Sequence, residues 1–133
     1  GPAGALYVGD FGAALRVDPV TERVTVVVGS TSGPAPTQGA LATAVRPKAV
    51  GGLAWDARGR LHFSDAENAK VWRVEADGKL TQVAGAGGPN LAGEQLDDSL
   101  SLPTGLAFDA AGDLYIADRS LHQVKRILGA SLL

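Results

Sequence analysis

Short apolar runs rich in Val, Leu and Ala follow one another along the chain, each closed by a turn marked with Gly, Asp or Pro. Runs of this length between turn residues are the pattern of β-strands joined by tight connections. Only Ala40 to Val45 has helical propensity, enough for a single turn.

The runs repeat. Leu6-Tyr7-Val8-Gly9-Asp10, Leu61-His62-Phe63-Ser64-Asp65 and Leu114-Tyr115-Ile116-Ala117-Asp118 are versions of one segment, spaced by 55 and then 53 residues. Upstream of the second and third, Gly52-Leu53-Ala54-Trp55-Asp56 matches Gly105-Leu106-Ala107-Phe108-Asp109. Downstream, Ala14 to Val17, Val71 to Val74 and Val124 to Ile127 match. In the middle unit this predicts four strands, at Leu53 to Asp56, Leu61 to Ser64, Lys70 to Glu75 and Leu80 to Ala84. Asp77-Gly78 supplies a hairpin turn between the last two. Four consecutive antiparallel strands form a meander, and repeated meanders are the blades of a β-propeller.

The chain is therefore predicted to be all-β, a propeller segment of about two and a half four-stranded antiparallel blades. Residues 1–29 form an incomplete blade, 30–50 a linker, 51–85 a complete blade, 86–102 a second linker and 103–133 another incomplete blade. Ser30 to Gln38, rich in Ser, Thr, Gly and Pro, is expected to be flexible or extended. Blades have a neighbour on each side, so strict apolar/polar alternation is not expected. One face carries Leu6, Val8, Leu61, Phe63, Leu114 and Ile116, and the other Tyr7, His62 and Tyr115. The abundant small residues are expected to let blades approach closely near the axis. A propeller needs at least about four blades to close. The flanks of the first and last blades, with Leu6, Val8, Leu114, Ile116, Leu132 and Leu133, are thus expected to meet further polypeptide. The partners expected are propeller blades from the same chain, from a second copy or from another subunit. Two copies would supply twenty strands, enough for five blades.

Composition narrows the function classes. A net charge of -2 gives no positive field of the kind that non-specific nucleic-acid binding needs. No apolar run is long enough to cross a bilayer as a helix. The absence of Cys removes disulfides, thiolate metal sites and Cys nucleophiles. There is no Met, so Gly1 is read as a position reached by processing, tagging or excision from a longer chain.

Two polar positions recur in every unit: Asp10, Asp65 and Asp118 end the second strand, and Arg16, Arg73 and Arg126 lie on the third. Recurrence in every blade points to structure. Each Asp is expected to accept backbone N–H groups in its turn, or to pair with the Arg. His62, in the slot of Tyr7 and Tyr115, reads as a half-buried packing residue with one hydrogen bond. Trp72 aligns with Leu15 and Lys125, which predicts an amphipathic site at a blade edge with the ring packed on a neighbouring loop. Trp72, His62 and the apolar pair Leu132-Leu133 are the residues expected to meet a partner. Glu94, Asp97 and Asp98 lack the spacing of a Ca2+ loop, and the two histidines have no third metal ligand. Gly85-Ala86-Gly87-Gly88 opens no helix and so is no phosphate loop. No catalytic residue, metal site or cofactor is assigned.

The third unit, with Pro103-Thr104-Gly105-Leu106-Ala107-Phe108-Asp109, Gly112 to Asp118 and His122 to Ile127, resembles the NHL-repeat β-propellers. The connection from Val83-Ala84-Gly85 to Pro103 is similar to that of teneurin-type bacterial NHL units. Leu15-Arg16-Val17-Asp18-Pro19 also resembles the gluconolactonase and strictosidine-synthase-like propellers. The resemblance implies a propeller and slightly favours an extracellular or secreted setting. It implies one of two functions. The first is a non-catalytic scaffold or protein-interaction module within a larger propeller or assembly. The alternative is part of a propeller enzyme of lactonase, lyase or strictosidine-synthase-like type, which would hold Ca2+ or Zn2+ at the axis.

Overall fold

The structure is a computed structural model and describes residues 4–86 and 100–132. Its ten strands form three antiparallel sheets. Blade 1 comprises β1 (Leu6–Gly9), β2 (Ala14–Val17) and β3 (Val24–Val28). Blade 2 comprises β4 (Val50–Trp55), β5 (Leu61–Asp65), β6 (Lys70–Val74) and β7 (Leu80–Ala84). Blade 3 comprises β8 (Pro103–Phe108), β9 (Leu114–Asp118) and β10 (Gln123–Ile127), and a 3-10 turn follows at Gly129–Leu132. Within each blade the strands pair in chain order. This is a partial propeller of about two and a half blades.

The hairpins have local causes. Gly78, at φ 82°, closes the β6–β7 turn, while Asp77 Oδ1 accepts the Lys79 N–H at 3.0 Å. Asp56 Oδ1 accepts the Arg58 and Arg60 N–H groups, each at 3.0 Å, and Asp109 Oδ1 does the same for Ala111 and Asp113. A carboxylate that takes backbone donors two and four residues on fixes the turn between the first and second strands of blades 2 and 3.

Blade 2 is sandwiched, with β4 lying against β1 on one side and β8 on the other. All five residues of β5 are buried as a result. The packing has a direction. Leu61, Phe63, Trp72 and Leu80 meet Ala14 and Val28 of blade 1 in one core. Leu114, Ile116 and Ile127 of blade 3 meet Val71, Val83 and Ala84 of blade 2 in a second, closed by Leu132. Blades 2 and 3 thus each turn the Leu-x-Phe-type face to the blade before them.

One expectation about the flanks is corrected by this polarity. Leu114 and Ile116 lie in the second core and line no free flank. Leu6 and Val8 have no blade before them among the described residues, and both are exposed, Leu6 at 62%. Past Gln38, the segment after blade 1 packs on blade 2. Gly39 and Ala42 donate to Leu80 and Gly78 carbonyls, and Leu80 donates to Ala40, so the segment lies along β7. Ala42 and Val45 enter the first core, which is what the apolar side chains of this segment gain by packing. A turn at 42–44 is closed by the Ala44 N–H on the Leu41 carbonyl. Most of the second connection, with Glu94, Asp97, Asp98, Gly87 and Gly88, lies outside the described residues, as does Leu133.

Candidate functional site

Two of the repeated Asp residues, Asp65 and Asp118, hold the chain where it enters blades 2 and 3. Asp65 ends β5 and is fully buried. Its Oδ1 accepts the Lys48 N–H at 2.9 Å and the Ala49 N–H at 3.3 Å, and its Oδ2 accepts the Asn68 side-chain amide at 2.7 Å. Asp118 repeats this on Ser101, Leu102 and Leu121 N–H groups at 2.7, 3.1 and 3.2 Å. Burial alone would raise the Asp118 carboxyl, but these donors outweigh it and hold the pKa below the usual range. Asp10 is exposed, and its carboxylate accepts only the adjacent Phe11 N–H among the described residues. Asp65→Ala should therefore cost about 2 kcal/mol, because two part-buried backbone donors and the Asn68 amide lose their acceptor, and Asp10→Ala much less. Thermal melts of both variants check the contrast.

The repeated Arg residues do not pair with these aspartates. Arg16 reaches Asp18 at 3.7 Å, and Arg73 bonds Glu75 at 2.5 Å, in each case two residues further along the chain, just past the strand end. The register carries the Asp to one end of the blade and the Arg toward the other. Arg126 is exposed on blade 3. The Asp109 carboxyl is held below its usual pKa chiefly by the Asp113 N–H, with Arg126 a smaller contributor.

At that other end an ionic chain runs across blade 2. Arg60 Nε meets Asp56 at 2.8 Å and its Nη1 meets Glu75 at 3.4 Å. Glu75 also takes Arg73, whose Nη1 donates to the Leu132 carbonyl at 2.6 Å. The C-terminal apolar segment thus docks on blade 2 through Leu132. Burial would raise Glu75 and Asp56, yet both carboxyls sit below their usual pKa, Glu75 through Arg73 and Asp56 through the Arg60 N–H.

His62 and Trp72 are not surface residues. His62 is fully buried, with its ring edge-on to Phe108 of blade 3 at 4.8 Å between centroids. Its Nδ1–H donates to the Arg60 carbonyl at 3.2 Å, and Nε2 has no partner among the described residues. Burial pushes its pKa down to about 4. Trp72 is 1% exposed in the first core, where Ala42 and Val45 from the preceding segment close over the cluster. Neither is offered to a partner, in contrast to the expectation from sequence. That expectation compared Trp72 only with Leu15 and Lys125, and the neighbouring blade that covers it is not visible in a repeat alignment.

Other residues escaped the sequence reading. Ser64 accepts the Gly52 N–H at 2.8 Å and donates to Thr104 of blade 3 at 2.9 Å, which links the inner strands of two blades. Its repeat counterparts are Gly9 and Ala117, so the repeat gave no polar signal there. The aromatic contacts between blades do repeat. Tyr7 of blade 1 lies edge-on to Trp55 of blade 2 at 4.6 Å, as His62 lies to Phe108. The aligned slots that hold Tyr7, His62 and Tyr115, and Trp55 and Phe108, were legible, but their meeting across blades was not.

Beside these aromatic pairs are two clefts. One, of about 410 Å3, lies between blades 1 and 2 and is lined by Tyr7, Val27, Trp55, Arg58, Val74 and Glu75. The other, of about 300 Å3, lies between blades 2 and 3, with Phe108 and Leu132 in its wall. Arg58 and Arg60 line both. Among the described residues no three His, Asp or Glu side chains converge as a metal site would need, and no helix is long and apolar enough to cross a membrane.

Residues 100–127 match the NHL repeat family. The match spans blade 3 to the end of β10. Over 93% of its length the chain superposes on a structural genomics protein of unknown function from Bacteroides thetaiotaomicron, with a TM-score of 0.76 at 17% identity. An auxiliary nutrient binding protein from Bacteroides ovatus gives 0.67 over 92% of the chain at 20% identity. Virginiamycin B lyase from Staphylococcus aureus gives 0.55 over 96% at 16%. These likenesses are of fold. The chain spans 32%, 34% and 39% of those three proteins, about a third of their length. No curated protein matches the chain. The NHL repeat and these neighbours make the chain a propeller module.

Proposed function

We propose that the chain is a non-catalytic NHL-type scaffold or interaction module whose two outer blades stack on further propeller blades. The observation that carries this reading is the directional contact between blades. Blade 1 gives Tyr7 to Trp55 and blade 2 gives His62 to Phe108, while the half-buried Tyr115 of blade 3 has no aromatic to meet among the described residues. At the other end, Leu6, Val17 and Val24 form one row across blade 1, and Val8, Leu15 and Val26 the next. This is a face of six aliphatic side chains, of which Leu6, Val8, Val24 and Val26 are exposed. Exposed aliphatic patches of this kind mark interaction sites. The equivalent face of blade 2 is buried on blade 1. The polar repeat residues support the same reading, since Asp65, Asp118, Arg60, Arg73 and Glu75 are engaged in holding turns and blades together.

Sedimentation of the 133-residue chain tests the proposal. It should self-associate, and Leu6→Lys combined with Val8→Lys should shift it to monomer without loss of β-sheet circular dichroism. A cooperatively melting monomer with no tendency to associate would overturn the proposal. A stoichiometric Zn2+ or Ca2+ held by side chains from two blades would favour the propeller-enzyme reading instead.

A further inference from the structure

We infer that the cleft between blades 1 and 2 is a binding site for a small carboxylate with an aromatic or branched apolar body. Its size, about 410 Å3, falls in the range of small-molecule sites. The walls are Tyr7, Trp55, Val27 and Val74, and the two rings are half-buried, so apolar surface is presented rather than sealed. The polar groups are unbalanced. Glu75 is saturated by Arg60 and Arg73, and Arg60 is taken up by Asp56 and Glu75. What remains uncommitted among the described residues is a set of donors: the exposed Arg58 guanidinium, which pairs with no carboxylate, the Tyr7 hydroxyl and the Trp55 indole N–H. A cleft with free donors, an apolar wall and no free carboxylate selects a ligand that brings acceptors and negative charge on an apolar frame. A carboxylate suits an arginine fork best, because two parallel hydrogen bonds form at once.

The site is built where it is by the fold. The Asp56 carboxylate fixes the β4–β5 turn through the Arg58 and Arg60 amides, which sets Arg58 at the rim. The matching cleft between blades 2 and 3 shares Arg58 but has Leu132 in its wall and no second aromatic, so the two are not equivalent.

The chain has two tryptophans, which gives the test an internal reference: Trp55 lines the cleft and Trp72 is buried at 1%. In 1H–15N NMR, 3-phenylpropionate should shift the Trp55 indole resonance saturably and leave that of Trp72 in place. The neutral amide, 3-phenylpropionamide, should bind about tenfold more weakly or worse, and Arg58→Gln should reduce acid binding by the same factor. Arg58 is exposed and makes no side-chain bond among the described residues, so the variant should fold as the parent does. Equal binding of acid and amide, equal movement of both indoles, or no saturable shift at millimolar ligand would overturn the inference.

Discussion

Gly52→Ala is expected to destabilise the protein by about 3 kcal/mol, the upper end of ordinary overpacking, while Gly105→Ala should change stability by less than about 0.5 kcal/mol. The two glycines hold the same repeat position in blades 2 and 3. Neither has a positive φ, so an L side chain carries no backbone strain at either. The difference is the neighbour. A Cβ on Gly52 would sit 2.3 Å from the Thr104 carbonyl oxygen and 2.9 Å from the Leu106 nitrogen. Both are backbone atoms of β8, so relief requires the two inner strands to separate. Separation would stretch the Gly52–Ser64–Thr104 hydrogen-bond relay as well. A Cβ on Gly105 would meet only the Ala117 Cβ, at 3.5 Å, which is ordinary contact. Melting temperatures report the contrast, with a drop of roughly 10 °C expected for the Gly52 variant. Equal stability of the two variants would show that blades 2 and 3 are not in the close contact described. The pair also bears on the proposed stacking. In an assembly where a further blade covers blade 3, Gly105→Ala should become costly too.

These two glycines mark how far the sequence could be read. The repeat of Leu61 to Asp65 in Leu6 to Asp10 and Leu114 to Asp118 was enough to place strands and blades, because a period of 53–55 residues is a property of one chain segment compared with another. The observed β5 and β7 fall within one residue of the expected limits at each end. β4 starts three residues earlier, at Val50, because a bulge between Val50 and Leu53 lets pairing with β5 continue through Gly51 and Gly52. A repeat alignment superposes equivalent residues, whereas contacts between blades join non-equivalent ones: Tyr7 with Trp55, Ser64 with Thr104, Arg73 with Leu132. Those pairs carry the clefts and the ionic chain, and they follow from the direction of stacking, which the period does not encode. Asp65 and Asp118 were legible as turn acceptors because their partners are local. Trp72 packs on a neighbouring loop as expected, but it lies on an inner strand and is buried, because the blade that covers it lies elsewhere in the chain.

Acidification supplies the second large effect. His62 should make the protein lose about 3 kcal/mol of stability as pH falls from about 6.5 to about 4, before most carboxylates titrate. The ring is fully buried between blades 2 and 3, and desolvation of the charged form is the largest cause of its lowered pKa. The Arg60 carbonyl and the Asp56 charge favour the protonated ring, while Arg73 and Arg60 oppose it, and burial outweighs the favourable pair. The folded state therefore holds His62 neutral at pH values where the unfolded chain protonates it. Stability from this group is complete above the unfolded pKa, 6.5, declines as pH falls through that window and levels off below about 4. His62→Phe removes the titration and the unpartnered Nε2 while keeping an aromatic edge against Phe108. The Arg60 carbonyl stays satisfied, because it also accepts the Asp56 N–H at 3.2 Å. Urea unfolding across pH 4–7 should show a steep slope in the parent and a nearly flat line in this variant. Equal slopes in the two would mean that His62 is solvated in the folded protein and that blade 3 does not close over it.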